Sequence, residues 1–406
     1  MFHPVLDPYY LAITALVTIG WQAAGFAIAF GLQIDTITDF WSATNFGFLA
    51  LLTLNLGAEY QARNIVATIF VLLWAVRLGG WQLFRLLQSE CLRPVGPSML
   101  RLLTMALAVG SDTRFDEMRS KPLSFAQFWA AQALWVWTVS LPLTILNSPA
   151  VSRVEGDWGG AHVSFGTARD IVGVILWAIG FGVEALADIQ KYTFKQSKPP
   201  QGAITDKGLW GLCRRPNYFG EIVHWLGIYL LCISPASSPD ISRRGHDALL
   251  GSVVSPLFTF CLLMFLSGVP LVSRSSLHLD ASHSHPRQAE KPTQQKYYLM
   301  AHAPRDGDGS LEPFGKRQRE EDPWRRMQAF RNRTSLLIPL PPALYKPLPT
   351  WLKRTVLLDV RVTRSDAPAI LALTSCSLQF PFYNFDEHKD GPKALEEEQK
   401  KQAQDD

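Results

Sequence analysis

The sequence has few charged residues and few cysteines for a chain of 406 residues. Asp, Glu, Lys and Arg make up 18% of it, and 39 basic residues against 35 acidic ones leave a formal net charge of only +4. So small and scattered an excess argues against a phosphate-neutralising surface, and therefore against nucleic acid as a partner. The five cysteines are an odd number without a CxxC pair, a pattern that indicates neither a disulfide framework nor a zinc site.

Apolar residues dominate instead. They make up 48% of the chain, with 13 Trp and 23 Phe, and they are concentrated in its first two thirds. Residues 280–328 and 386–406 are strongly polar by contrast. This distribution argues against an ordinary soluble enzyme and predicts a membrane-embedded part followed by a polar part.

Seven apolar windows approach the roughly 20 residues that a helix needs to cross a bilayer. The first lacks the basic n-region of a signal peptide and is longer than one, so we interpret it as a retained span. The predicted fold class is therefore all-α, a polytopic transmembrane helix bundle of about seven spans. The windows are Tyr9–Gly31, Phe40–Leu56, Ile65–Leu87, Phe125–Leu146, Ala168–Asp188, Phe219–Ser234 and Leu249–Val272.

Basic residues after the fifth window predict the orientation of the bundle. Because cytoplasmic loops carry an excess of Lys and Arg, this loop is expected in the cytosol and the N-terminus outside or in a lumen. The polar C-terminal part then forms a cytosolic cap. The basic residues are Lys191, Lys195, Lys198, Lys207, Arg214 and Arg215.

Ionisable residues within or beside the spans are candidates for function, because charge at membrane depth is costly. Arg77 and Arg85 lie about two helical turns apart on one face and could bind anionic groups, or could instead form an internal ion pair and reach the interface. A second set, spaced i, i+4, i+7 and i+11, forms one stripe that either leads from a pocket to a phosphate-binding mouth or is a structural basic collar. Its members are Glu184, Asp188, Lys191 and Lys195.

The most specific local pattern runs from Gly208 to Trp225. Within it Asn217, Glu221 and His224 share one helical face just after Pro216, where helix N–H groups favour anions. An Asn at a helix start is also a common structural feature. For His224 we favour a neutral core histidine over a metal ligand, because no second His or Cys stands at ligand spacing.

These residues resemble the signature of the steroid 5-alpha-reductase superfamily of membrane enzymes, in its little-characterised bacterial and fungal branch. The resemblance covers most of the chain between Asp7 and Leu358. Besides Gly208-Leu-Trp and Arg214-Arg-Pro-Asn-Tyr-Phe-Gly-Glu221, it rests on Trp74–Arg85, Asp112–Arg119, Trp135–Trp137, Ala187–Lys195, Ser255-Pro256, Ser267–Pro270 and Arg333–Pro339.

The resemblance implies an NADPH-dependent reductase in the endoplasmic reticulum, with its cofactor site facing the cytosol. It would saturate a carbon–carbon double bond in a steroid, sterol or other hydrophobic enone or enoyl lipid. Arg215 replaces the usual His of the signature, and Lys195 replaces an Arg, so bidentate phosphate binding is lost there. No metal is expected. The implied cofactor-binding residues are Gln190, Lys191, Lys195, Trp210, Arg214, Asn217, Tyr218 and Glu221, and the candidate proton donors are Glu59, Tyr60, Glu184 and Tyr218.

Two alternatives remain at this level. The chain also resembles isoprenylcysteine carboxyl methyltransferase, a membrane enzyme that shares the late-span module and uses S-adenosylmethionine; the Gln190–Lys195 segment argues against it. The second alternative is a sterol- or lipid-binding membrane protein that keeps the fold without turnover; Arg215 and the irregular segments of the chain leave this alternative open.

Three segments interrupt the resemblance: 89–109, 273–288 and 360–379. Their edges can encode splice-site consensus sequences, for example Val272-Ser273 as a donor and Gln288 as an acceptor. We hypothesise that they are retained introns; ordinary loop insertion is the alternative. Reads of the spliced transcript that carry all three segments would contradict the hypothesis. If the segments are retained introns, the histidines at 278, 283 and 285 form no metal site.

The predicted organisation follows from these boundaries. Residues 1–272 form a transmembrane reductase-like domain, 289–359 the cytosolic cap with a Pro-rich segment, and 380–406 a polar tail.

Overall fold

The computed structural model describes residues 6–32, 37–90, 122–153, 159–199, 203–266, 297–298, 322–355, 357, 391–392 and 394–396. Regular structure in these ranges is helical apart from one isolated β-bridge, between Cys213 and Ser335. The predicted inserts at 273–288 and 360–379 lie outside the described residues, as does the one at 89–109 except for its first two residues. All three stay predictions.

Twelve α-helices are used in the description below. They are α1 (Leu11–Leu32), α2 (Thr38–Gly57), α3 (Ala62–Glu90), α4 (Pro122–Leu146), α5 (Pro149–Ser152), α6 (Ala168–Gln196), α7 (Pro216–Cys232), α8 (Arg243–Gly251), α9 (Val254–Cys261), α10 (Pro323–Arg333), α11 (Pro342–Tyr345) and α12 (Thr350–Thr355). Short 3₁₀ turns cover Gly208–Gly211 and Ser234–Ser237, and a π-turn covers Leu262–Leu266.

Five helical segments in the described part of the chain are long and apolar enough to cross a membrane, so the chain is a multi-pass integral membrane protein. They are Leu11–Leu32, Ala62–Phe84, Pro122–Ser152, Ala168–Gln196 and Arg243–Met264. The other two predicted windows also form helices. One, α7, is only 17 residues long, and the other, α2, includes Asp39, Asn45 and Asn55, which lower its hydropathy.

The described residues form two compact units, and the division between them falls within α6 and within α7. Unit 1 contains the described residues up to Phe181 together with Ile222–Phe260. Unit 2 contains Gly182–Glu221 and the described residues from Cys261 onward.

The core of unit 1 is an aromatic cluster inside a helix bundle. Along their lengths α2 packs against α3, and α1 packs against α4. At the centre the Phe46 ring lies 5.0 Å from Trp74 and 5.7 Å from Trp225, and the two indoles are 5.0 Å apart, edge to face. Such offset geometries are the favourable ones for aromatic pairs.

Two glycines bring α6 and α7 close together in unit 1. A Cβ on Gly227 would lie 2.6 Å from the backbone nitrogen of Trp177 and 2.7 Å from the carbonyl oxygen of Gly173. Only glycine allows the backbones to approach so closely, which is a common arrangement between membrane helices.

Buried polar side chains of unit 1 bond to one another. Arg63 forms a two-pronged ion pair with Asp170, with both N–O distances at 2.8 Å, and both side chains are about 1% exposed. Nearby on α3, Asn64 donates to Asn147 Oδ1 at 3.0 Å, and Asn147 donates to Thr53 Oγ1 at 3.1 Å. In a bilayer these groups have no water to bond, so internal pairing lets them be buried.

Candidate functional site

The two motifs that carry the family resemblance are in contact in unit 2. The 3₁₀ turn Gly208–Gly211 is bonded to the second half of α6: the Leu209 N–H donates to Gln190 Oε1 at 3.0 Å, and Trp210 Nε1 donates to the Ala187 carbonyl at 2.9 Å. Gly208 has φ +60°, and a Cβ there would lie 2.7 Å from the Gln190 amide. A glycine is therefore required for this contact.

The polar stripe on α6 passes from buried to exposed, as its spacing predicts. Glu184 is 5% exposed, Asp188 and Lys191 are half-buried, and Lys195 is exposed. The Lys191 ammonium lies 5.0 Å from the centroid of the Trp210 ring, within cation–π range. At its exposed end the stripe therefore carries two cations: the Lys191 ammonium, which lies over the Trp210 ring, and the exposed Lys195.

Arg214 binds the C-terminal end of α10. Its Nη1 donates to the carbonyls of Arg331 at 3.2 Å and Thr334 at 3.4 Å, and its own N–H donates to the Ser335 carbonyl at 3.0 Å. The side chain is buried. Bonds from a cation to the last carbonyls of a helix stabilise its C-terminus, so Arg214 has a structural task here.

The start of α7 gathers several predicted residues. The helix begins at Pro216, a favoured first residue because its missing N–H needs no partner there. The Arg215 guanidinium lies 5.2 Å from the Tyr218 ring centroid, and Glu221 is half-buried one turn further on. Asn217 Oδ1 is buried and has no hydrogen-bond partner within the described residues. A buried acceptor at the N-terminus of a helix is suited to a polar ligand.

The loop before the 3₁₀ turn is bonded to the C-terminal part of unit 2. Asp206 forms an ion pair with Arg333, and Tyr297 donates its hydroxyl to the Ala203 carbonyl at 3.1 Å. Burial raises the pKa of Tyr297 above its usual range. These contacts join α10 and residues 203–218 into one structure.

The four candidate proton donors fall into two pairs. Glu59 and Tyr60 lie in unit 1, in the link between α2 and α3, where Glu59 is 3.4 Å from Arg153 and the Tyr60 side chain is 58% exposed. Glu184 and Tyr218 lie in unit 2, on the elements that carry the two motifs of the family resemblance.

Two other ionisable residues singled out from the sequence lie in unit 1. His224 is completely buried, with its ring 5.8 Å from Trp74 and 5.4 Å from Trp225, which is the environment of a core histidine. The Arg77 guanidinium lies 5.7 Å from the Phe181 ring. In the described part of the chain no three His, Cys, Asp or Glu side chains gather as metal ligands would.

Sequence reasoning missed a cavity of about 480 Å³ between α1 and α4 in unit 1. Thr18, Gln22 and Trp129 are the polar members of its lining, and all are nearly fully buried. A signal was available, because Thr14, Thr18 and Gln22 stand at i, i+4 and i+8 on an otherwise apolar helix. The other lining residues are Ala15, Ile19, Ala23, Phe26, Ala126, Ala130, Ala133, Leu134 and Trp137.

A family model described as "Protein of unknown function (DUF1295)" matches residues 25–90 and 99–291, more than half of the chain. No curated protein and no solved structure matches the chain. This family is related to steroid 5-alpha-reductase-like proteins, which agrees with the resemblance at that coarser level. The chain belongs to the DUF1295 family.

Proposed function

We propose that this protein is a membrane-embedded, NADPH-dependent reductase of a carbon–carbon double bond in a hydrophobic enone or enoyl lipid. The observation that carries the proposal is the contact in unit 2 between the Ala187–Lys195 motif and the Gly208–Glu221 motif. Gln190, Lys191 and Trp210 make that contact directly. The two motifs that resemble a cofactor site are thus parts of one structure.

The residues present suit a dinucleotide phosphate. When bound, NADPH would supply the hydride. Lys191 and Lys195 offer two cations for its phosphates, and the dipole at the N-terminus of α7 favours an anion. Asn217 Oδ1, a buried acceptor, would take a hydrogen bond from an amide or hydroxyl of the cofactor. Trp210 and Gln190 position these groups, and Arg214 holds α10 beside them.

Besides the hydride, the reduction needs a proton donor, which we assign to Glu184 or Tyr218. A general acid works best in a site from which water is excluded. Glu184 is buried, whereas Tyr60 is largely exposed and Glu59 faces Arg153. The substitutions Glu184→Gln and Tyr218→Phe are expected to show which residue is the donor. Substitution of the true donor should lower kcat strongly while NADPH still binds.

The finer features of the topology belong to the same proposal. We propose seven spans, in which α2 and α7 cross the membrane in addition to the five long apolar segments, and a cytosolic cap formed by the C-terminal part. The excess of Lys and Arg after α6 supports a cytosolic position for the cofactor motifs. An endoplasmic reticulum membrane then gives access to both cytosolic NADPH and membrane-dissolved substrate.

An NADPH titration of the full chain in lipid nanodiscs tests the proposal. Lys191→Ala and Asn217→Ala should each weaken binding by about tenfold, as expected for loss of one charge-assisted or buried hydrogen bond. Lys198→Ala is the matched control, because Lys198 is an exposed lysine just beyond α6 and should leave the affinity unchanged.

Other results would redirect the assignment. Binding of S-adenosylmethionine without NADPH binding, in protein shown to be folded, would support a methyltransferase. Retention of a stoichiometric lipid with neither cofactor bound would support a lipid-binding protein without turnover.

A further inference from the structure

Two large apolar side chains are exposed in the described residues that follow the last candidate span. They are Leu344 on α11, at 61%, and Trp351 on α12, at 63%. Exposed tryptophans are enriched where a protein meets a partner or the boundary between membrane and water. We refer to residues 341–353, which include both side chains, as the α11–α12 surface.

The α11–α12 surface has a fixed conformation. Tyr345 is completely buried and anchors α11. On α12, the Lys353 ammonium donates to the Lys346 carbonyl at 3.0 Å and lies 4.7 Å from the centroid of the Tyr345 ring. Leu344 and Trp351 are therefore exposed on an ordered structure, and their exposure does not come from a frayed end.

Within unit 2, the turn Gly208–Gly211 lies close to the lipid-facing part of α6. Trp210 in this turn donates to the Ala187 carbonyl of α6 at 2.9 Å. Leu186 and Ile189, on either side of that carbonyl in the sequence, are 54% and 52% exposed, as expected for a span that faces lipid. The turn is thus held near the level at which α6 contacts the bilayer.

The α11–α12 surface is joined to this turn by backbone bonds. The Leu340 N–H donates to the Leu212 carbonyl at 3.3 Å, and the Arg214 N–H donates to the Ser335 carbonyl at 3.0 Å. Leu212 directly follows the turn, and only Pro341 separates Leu340 from α11. These bonds therefore keep the surface close to the membrane boundary of α6.

The segment that contains this surface can lie on a membrane but cannot cross one. Residues 334–358 are mostly apolar, yet α11 and α12 are only four and six residues long. A spanning helix needs about 20 residues, and prolines end helices well before that length here. The prolines of the segment are Pro339, Pro341, Pro342, Pro347 and Pro349.

The charge of the segment indicates which kind of lipid it meets. Its charged residues are Lys346, Lys353 and Arg354, and residues 334–358 contain no Asp or Glu. The Lys346 side chain is exposed. Basic side chains beside exposed apolar ones are typical of segments that lie on an anionic membrane surface.

We infer that the α11–α12 surface docks on the headgroup region of an anionic bilayer. Leu344 and Trp351 enter the apolar boundary, and Lys346 faces the lipid phosphates. The cytosolic leaflet is the anionic one, so docking agrees with the cytosolic position proposed for the C-terminal part. The reductase proposal does not use this surface.

Lipid photocrosslinking from the surface itself tests the inference. The full chain, with p-benzoylphenylalanine in place of Trp351, is placed without NADPH in nanodiscs of phosphatidylcholine, with or without phosphatidylserine. Lipid adducts, identified by mass spectrometry, should form in higher yield with phosphatidylserine. Salt at about 1 M should remove that gain, because it shortens the Debye length to about 3 Å.

Substitutions in the photoreactive chain separate charge from apolar contact. Lys346→Gln should lower the phosphatidylserine-dependent yield by up to about fivefold, the usual effect of one lysine near an anionic membrane. Arg325→Gln is the matched control: it removes the same charge from α10, where the exposed Arg325 lies 3.9 Å from Asp322, and should leave the yield unchanged. Leu344→Ala should lower the yield in both lipid mixtures, because apolar area is lost and charge is not.

Three results would overturn the inference. The first is a yield of lipid adducts that is negligible or independent of phosphatidylserine. The second is a crosslink to protein, either a second copy or another part of this chain, in place of lipid. The third is an equal loss of yield in Lys346→Gln and Arg325→Gln, which would show a general attraction of basic residues and no docking by this surface.

Discussion

Units 1 and 2 use their polar side chains in different ways. In unit 1 several buried side chains on different helices bond to one another, as in the Arg63–Asp170 ion pair and the contact between Asn64 and Asn147. In unit 2 they bond mainly to backbone groups: Arg214 to the end of α10, and Gln190 to the turn at Leu209.

The difference follows from what each unit has to hold in place. Regular helices satisfy most of their own backbone groups, so in unit 1 the buried polar side chains are the main groups that need partners. The residues of unit 2 that the structure describes between α6 and α7 form no α-helix, so their backbone groups need other partners. Side-chain pairs in unit 1 should therefore govern global stability, and side-chain-to-backbone bonds in unit 2 should govern local order and ligand binding.

The largest effect is expected from breaking the Arg63–Asp170 ion pair. Asp170→Asn leaves a buried guanidinium without its counter-charge, which should cost about 3–5 kcal/mol of unfolding free energy. Thermal unfolding in detergent measures it. Glu59→Gln is the control, because the Glu59–Arg153 pair is longer and partly exposed and should contribute less than about 1 kcal/mol. Equal losses in the two variants would contradict the contrast.

Removing the Arg214 side chain should have a smaller and more local effect. Arg214→Gln loses the charged hydrogen bonds to the α10 carbonyls, at about 1.5–3 kcal/mol. Hydrogen exchange should accelerate in the amides of α10 and remain unchanged in α3 and α4. Arg215→Gln, next in sequence, should spare α10. Faster exchange throughout unit 1 would show that the two kinds of bonding are not separable.

The helix crossing at Gly227 provides a third test, confined to unit 1. Gly227→Ala places a methyl group against the backbone of α6 and should cost about 1–3 kcal/mol by forcing the helices apart. Gly20→Ala is the control on α1, where nothing lies within 4 Å of the added methyl. It should be neutral or stabilising by up to about 1 kcal/mol, because alanine favours helix. Comparable destabilisation in both variants would argue against the close crossing.

Much of the helical framework could be predicted from hydrophobic runs. The window Phe125–Leu146 corresponds to α4, and Tyr9–Gly31 to α1, within a few residues. The fifth window stops at Asp188, but α6 continues to Gln196, because its charged residues stay on one face and do not break the helix. The last predicted window begins at Leu249, but the final candidate span begins at Arg243, because Ser242 caps the N-terminus of α8.

The candidate site was predictable only in its local parts. The spacing of Glu184 to Lys195 predicts the stripe because all four residues lie on one helix. The use of Arg214 could not be predicted, since its carbonyl partners lie 117 and 120 residues further along the chain. Likewise the polar stripe on α1 shows in the sequence, but the cavity requires the packing of α1 on α4.

The smallest expected effect concerns the alkylation of the Cys213 thiol, which should be slow in the folded protein. Its rate reports on the structure around Arg214. Burial raises the pKa of Cys213 to about 12, with the neighbouring Arg214 and a backbone bond at Arg215 opposing the rise only partly. At pH 8 only about one part in ten thousand of the thiol is ionised, because the thiolate fraction falls tenfold for each unit by which the pKa exceeds the pH. Iodoacetamide should therefore spare Cys213 in the folded protein and modify it in detergent-unfolded protein, as read by peptide mass spectrometry. In Arg214→Gln, where α10 is loosened, labelling of Cys213 should rise. Modification of Cys213 in the folded, unmutated protein at the rate seen after unfolding would mean that the contacts of Arg214 do not close this part of unit 2 to solvent.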